Sequence, residues 1–153
     1  MIPALRSILL ALCLGLASLA VLADSLLMIR SPQPFAETML ALQDAIREQG
    51  FKVSRVQRVD VGLTAMGFKT DKYRVVFFGR PEQVRRLSHE HPELVPYLPL
   101  KIAIFAERDD TLLVAANPRE LGRFYHSEVL QPVFEEWAEQ MQAIFDKVRQ
   151  ARD

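Results

Sequence analysis

The sequence predicts an α+β domain: a two-layer sandwich with a mostly antiparallel sheet of about five strands, helices on one face and a long amphipathic C-terminal helix. Three observations predict it. Short runs of period-two alternation follow one another through brief connections, which favours antiparallel neighbours. Two segments repeat apolar residues at helical spacing. The chain has 153 residues, half of them apolar, with nine Pro and one Cys. That composition fits one globular core and excludes collagenous, low-complexity and disulfide-stapled classes.

The first strand is expected over 25–30 (SLLMIR), ended by Ser31-Pro32-Gln33-Pro34, because proline disfavours both ladder pairing and helix. Phe35, Met39, Leu42 and Ile46 recur at spacings of 4, 3 and 4, so a helix follows, with Pro34 at its start and Gly50 as its left-handed stop. Over 51–61 a second strand places Phe51, Val53, Val59 and Val61 on one face; Arg55 and Gln57 interrupt that face and predict a bend or bulge. The stretch 62–72 reads as a connection with one helical turn at 63–66, and 73–78 (YRVVFF) as the next strand, closed by Gly79.

Pro81 opens a second helix with a modest apolar edge at Val84 and Leu87, and Pro92, Pro96 and Pro99 then predict an extended segment. Leu100, Ile102, Ile104 and Ala106 alternate with Lys101, Ala103, Phe105 and Glu107. Arg108-Asp109-Asp110 turns the chain into 111–116, which makes a hairpin. Asn117-Pro118-Arg119-Glu120 carries a capping residue, a helix-initiating proline and a carboxylate at the third position, so a helix begins there. Leu130, Phe134, Trp137, Met141, Ile144 and Val148 form a seam at spacings of 4, 3, 4, 3 and 4. Burial of that seam is expected on the domain's own sheet or against a second copy or other protein partner. The order is β-α-β-β-α-β-β-α-α; the first helix is also compatible with a parallel crossover.

Ahead of this domain, Arg6 is the only charge before Asp24, and 8–23 is apolar except for Ser18. A short positive segment followed by such a run reads as a signal peptide over 1–23, with Val21 and Ala23 placing cleavage before Asp24. Export to the periplasm or medium is the expectation. The other reading is an uncleaved anchor with the domain facing outward, in which case this segment is the chain's membrane contact. Cys13 lies within the segment, so the mature chain has no thiol for a disulfide, a nucleophile or a metal site. With Arg6 removed, 18 basic residues stand against 19 acidic ones. A balance so near zero lacks the positive field of nucleic-acid binders, and no nucleic-acid partner is expected.

Phe78-Gly79-Arg80-Pro81, the proline-rich run 92–101 (PELVPYLPLK), the hairpin after it and Asn117-Pro118 resemble the family called domain of unknown function 302, or TT1751-like. The opening also resembles it, with a strand, Ser-Pro-x-x-Phe, a helix and Gly-Phe. The resemblance spans 25–125 and implies a compact α+β domain over 24–126, with the helix of 127–153 beyond the usual core. It brings no established activity. Many members carry Cys at the places held here by Gly79 and Leu100, so no thiol role transfers.

Chemical constellations are sparse. His89, His91 and Glu93 sit at a helix end where residues two apart point about 200° apart, so no metal site and no metal ligand is expected. Asp109 and Asp110 suit a turn, Glu135 and Glu136 a solvated face, and no nucleophile elbow or phosphate loop occurs. No catalytic residue and no cofactor are expected. Arg80, Tyr97, Lys101, Arg123, Tyr125 and His126 lie near the family-like motifs and are candidates to line a cleft for a small apolar ligand. The expected function is a non-catalytic binding or accessory module that uses such a cleft, or the helix seam, for a ligand, a partner or self-association. The alternative is a small-ligand enzyme built on Arg80, Tyr97, Lys101 and His126. A dry Leu/Val/Phe sheet face would favour partner binding, and convergent charges would favour chemistry.

Overall fold

The computed structural model describes residues 25–151. The expected signal peptide, its cleavage point and Cys13 lie outside the described residues. Strand β1 (Leu26–Ser31) gives way at Pro32 to helix α1 (Phe35–Glu48), which buries Thr38, Leu42, Ala45 and Ile46. The turn between them is pinned from inside. Thr38 Oγ1 lies 3.2 Å from Ser31 Oγ and 3.1 Å from the Gln33 carbonyl oxygen, which also accepts from Thr111 Oγ1 at 3.0 Å. All three hydroxyl residues are fully buried, so these bonds satisfy groups that water cannot reach. The helix stops at Gly50 (φ 76°), where Gly50 N–H donates to Arg47 O and Phe51 N–H to Ile46 O. That closure sends Phe51 into the core, edge-on to Phe78 at 5.3 Å.

Strand β2 (Lys52–Arg58) contains the expected irregularity, a register shift between Val53 and Arg55 against β3 (Tyr73–Gly79). The strand does not reach Val61. Arg58 pairs with Arg74 near the start of β3, so little ladder remains beyond it, and the chain turns into helix α2 (Val59–Ala65). Val61 is consequently about half exposed rather than on the core face. After β3 come α3 (Pro81–Glu90) and a 3₁₀ helix over Pro92–Tyr97, where an extended segment was expected. The fixed φ of proline suits either form, and the 3₁₀ form closes with Leu94 N–H to His91 O and Leu98 N–H to Val95 O.

Strands β4 (Leu100–Glu107) and β5 (Asp110–Ala116) form the hairpin, with Arg108 at φ 57° in its turn. Helix α4 (Arg119–Tyr125) follows, its Arg119 N–H held by Asn117 Oδ1 at 3.1 Å, and α5 (Gln131–Gln150) ends the fold. The sheet order is β1-β5-β4-β3-β2 and every neighbouring pair is antiparallel. Helix α1 therefore serves no parallel pair; it carries the chain from one edge of the sheet to the other.

One sheet face is covered. Ile29, Leu113, Ile104, Ile102, Val76 and Phe78 point toward the helices and are at most 4% exposed. The seam of Leu130, Phe134, Trp137, Met141, Ile144 and Val148 is at most 2% exposed in the single chain. A seam already buried in the domain's own core offers no surface to a second copy. For the same reason the division at residue 126 is not a division of the core: α5 packs against α1, α4 and β1. No helix among the described residues is long and apolar enough to cross a membrane.

Candidate functional site

At the sheet end where β4 begins and β5 finishes, the 3₁₀ helix and α4 enclose a cleft of about 140 Å³. Tyr97 comes from the 3₁₀ helix, Leu100 and Lys101 from β4, Ala116 from β5, Asn117 and Pro118 from the turn, Glu120 and Leu121 from α4, and Met141 from α5. The proline-rich segment and the Asn-Pro turn are thus the two walls. Hydrocarbon surface dominates, and the polar groups stand at fixed places around it. Asn117 is 6% exposed and already caps α4, and Glu120 pairs with Arg123 at 2.6 Å. Lys101 makes no ion pair among the described residues and stands at the cleft with its charge in water.

The six candidate residues divide. Tyr97 and Lys101 line the cleft. Tyr125 stands behind it, ring to ring with Tyr97 at 6.1 Å, stacked on Phe134 at 6.2 Å, its hydroxyl donating to the Glu93 carbonyl at 2.9 Å. Burial pushes the Tyr125 phenol above its ordinary pKa, aided by its hydrogen bond with Tyr97 and by the Glu93 charge. It is a neutral strut, not a base.

The other three candidates lie outside the cleft lining. Arg80 donates to the Gln49 carbonyl at 3.0 Å and to Glu136 Oε1 at 3.0 Å, with its guanidinium 4.6 Å above the Phe51 ring. It clamps the end of α1 to α5. Arg123 is exposed and paired along its own helix to Glu120. His126 takes a left-handed conformation (φ 48°) after α4, its Nδ1 3.0 Å from the Phe124 carbonyl, where it serves as donor. The walls that sequence reasoning missed are Leu100, Ala116, Asn117, Pro118, Glu120, Leu121 and Met141. Asn117-Pro118 carried a visible signal, but as a helix start.

His91 Nδ1 lies 3.3 Å from Glu93 Oε1, and among the described residues no three potential metal-ligating side chains converge. A larger hollow of about 510 Å³ at the opposite sheet end, lined by Asp60, Thr64, Asp71 and Lys72 among others, is a gap between α2 and the loop that leads into β3.

A five-stranded antiparallel sheet, helices on one face and a small apolar cleft at one end define a compact α+β domain. The chain belongs to the family described as "Domain of unknown function DUF302", whose model matches residues 27–148. The match runs through α5, in accord with the place of that helix in the core. The crystal structure of an uncharacterized conserved DUF302 protein from Bacillus stearothermophilus is similar, with a TM-score of 0.72 and 18% identity, over 81% of this chain and 98% of that one. At that identity the likeness speaks for the fold alone. No curated protein matches the chain.

Proposed function

We propose that this chain is an exported, non-catalytic binding module that holds a small, largely apolar molecule in the cleft between Tyr97 and Leu121. The observation that carries this reading is the cleft's size and lining: about 140 Å³ with mostly hydrocarbon walls, close to the roughly 150 Å³ at which an apolar cavity takes up benzene. Tyr97 and Lys101 supply one aromatic face and one cation, enough to orient a ligand but not to move a proton between two partners. The enzyme alternative needs Arg80 and His126 beside them, and both are engaged elsewhere. The sequence of 1–23 supports export.

Thermal unfolding with toluene and with benzoate tests the reading. A probe present at ten times its Kd should stabilise the protein by about 1.4 kcal/mol, or about 5 °C in Tm. Ala116→Leu, which narrows the cleft from an exposed strand end, should remove the shift. A flat response to both probes at millimolar concentration would exclude the cleft as a site for molecules of this size.

A further inference from the structure

Helix α3 meets the sheet where β3 ends, and the junction leaves a groove of about 420 Å³. Gly79 is its floor. A Cβ at that position would lie 2.9 Å from Val84 Cγ2 and 3.6 Å from Pro99 Cβ, so the missing side chain is what lets α3 and the proline close over the strand end. Val53 of β2 adds a third apolar wall, and hydrocarbon makes up most of the lining. The groove shares no lining residue with the Tyr97 cleft.

The charged part of its rim is cationic. Lys52 stands beside Gly79 in the β2–β3 register, Arg85 follows Val84 on α3, and both are exposed. One register row further, about 7 Å along the strands, Arg55, Phe77 and Lys101 lie side by side on the same face. Lys52 and Lys101 make no ion pair among the described residues, and Glu82, in the first turn of α3, is already taken up by Arg85. Strands β2 and β3 and the stretch 98–105 hold no carboxylate at all. Over the whole chain 19 basic residues balance 19 acidic ones, so this excess of positive charge is local to the groove.

We propose that the groove is a second binding site, one that takes a medium-chain carboxylate. The hydrocarbon tail lies against Gly79, Val84, Pro99 and Val53, and the carboxylate stands at the rim between Lys52 and Arg85. A volume of about 420 Å³ falls within the roughly 300–1,000 Å³ usual for small-molecule sites. An apolar trough closed by cations selects for a molecule with one anionic end and one oily end. A neutral hydrocarbon would leave Lys52 without a partner, and an alkylammonium would meet like charge.

Titration of the purified protein with octanoate up to about 10 mM, followed by methyl NMR, is the test. The Val53 and Val84 methyls should shift together and saturate at one ligand per chain. Each methylene added between butyrate and octanoate should tighten binding about threefold. Octylammonium, with the same tail and the opposite charge, should bind at least about fivefold more weakly. Lys52→Glu, at an exposed position, should weaken octanoate about fivefold and strengthen octylammonium. Ala116→Leu, which narrows the Tyr97 cleft, should leave octanoate affinity unchanged. Octanoate shifts confined to Leu121 and Met141, and abolished by Ala116→Leu, would place the carboxylate in that cleft and overturn the second site while leaving the binding reading above intact. Equal affinity for octanoate and octylammonium, or no saturable shift at Val53 and Val84, also overturns the proposal, whatever toluene does to the Tm.

Discussion

Trp137 and Gln83 meet at 3.1 Å: the indole N–H, on a ring that is 1% exposed, donates to the side-chain oxygen of Gln83 and fastens α5 to α3. A buried indole without that partner would carry an unsatisfied donor. Gln83→Ala should therefore cost about 1–3 kcal/mol, and Trp137→Ala about 3–5 kcal/mol through the cavity it leaves. Trp137 is the only tryptophan, so its emission reports directly: blue-shifted when native and moving red through the urea transition. A Gln83→Ala protein within about 0.5 kcal/mol of wild type would show that water replaces the bond.

Met141 tests the seam from the opposite side. It is 2% exposed, and a lysine there would bury an ammonium among hydrocarbon, while Glu120, the carboxylate that lines the same cleft, is already paired with Arg123. Met141→Lys should give unfolded or aggregated protein by circular dichroism and light scattering. Recovery of a folded, stable monomer would mean that α5 can leave the core, contrary to its packing.

Arg80 separates structural from ligand-binding roles. Its guanidinium spans the Gln49 carbonyl, Glu136 and the Phe51 face at once, a geometry that an ammonium cannot reproduce. Arg80→Ala should lower stability by about 1.5–3 kcal/mol, with Arg80→Lys recovering only part. Benzoate affinity should be unaffected where both proteins are folded. Weakened binding at unchanged stability would place Arg80 in the cleft after all.

The sequence made the helices legible where an apolar stripe and a stop signal agreed. Phe35, Met39, Leu42 and Ile46 gave the stripe of α1, and Gly50-Phe51 its end. The same Gly-Phe signal recurs at Gly67-Phe68, where Gly67 (φ 86°) N–H donates to Thr64 O and Phe68 N–H to Leu63 O. Together with the one turn expected at 63–66 it marks the end of α2; the alternation of Val59 and Val61 concealed the first half of that helix, because seven residues lack room for a clear stripe. The cleft was half legible. Tyr97 and Lys101 could be taken from motif proximity, but Ala116, Leu121 and Met141 meet only through tertiary packing. Arg80 was misplaced because a motif position does not tell which way a long side chain runs.

Acid should weaken the protein partly through Asp60. Arg74, hydrogen-bonded to its carboxyl, holds Asp60 below the usual carboxylate range, with the Val61 N–H adding to the effect against a smaller burial penalty overall. The folded pKa is lower than the unfolded one, so the native state binds fewer protons. The contribution is full above about pH 5, falls as pH drops through about 3.9, and is gone below the folded value. Urea midpoints measured from neutral to strongly acid pH should show Asp60→Asn least stable relative to wild type at neutral pH, with the gap closing in acid. A gap that stays constant across the range would assign the effect to packing instead.

Two glycines should respond to alanine with opposite signs. A Cβ on Gly79 would lie 2.9 Å from Val84 Cγ2 and 3.6 Å from Pro99 Cβ, so α3 or the sheet end must shift to admit it. Val84 is β-branched and cannot swing aside freely. Gly79→Ala should cost about 1–3 kcal/mol, and Val84→Ala in the same chain should return about 1 kcal/mol of it, a coupling that a double-mutant cycle measures. Gly62 lies within α2, and a Cβ there meets nothing within 4 Å. Gly62→Ala should stabilise by about 0.5–1 kcal/mol, since alanine loses less backbone freedom on entering a helix. Equal effects of the two substitutions in urea denaturation would mean that glycine's flexibility, rather than the approach of Val84, decides the cost at position 79.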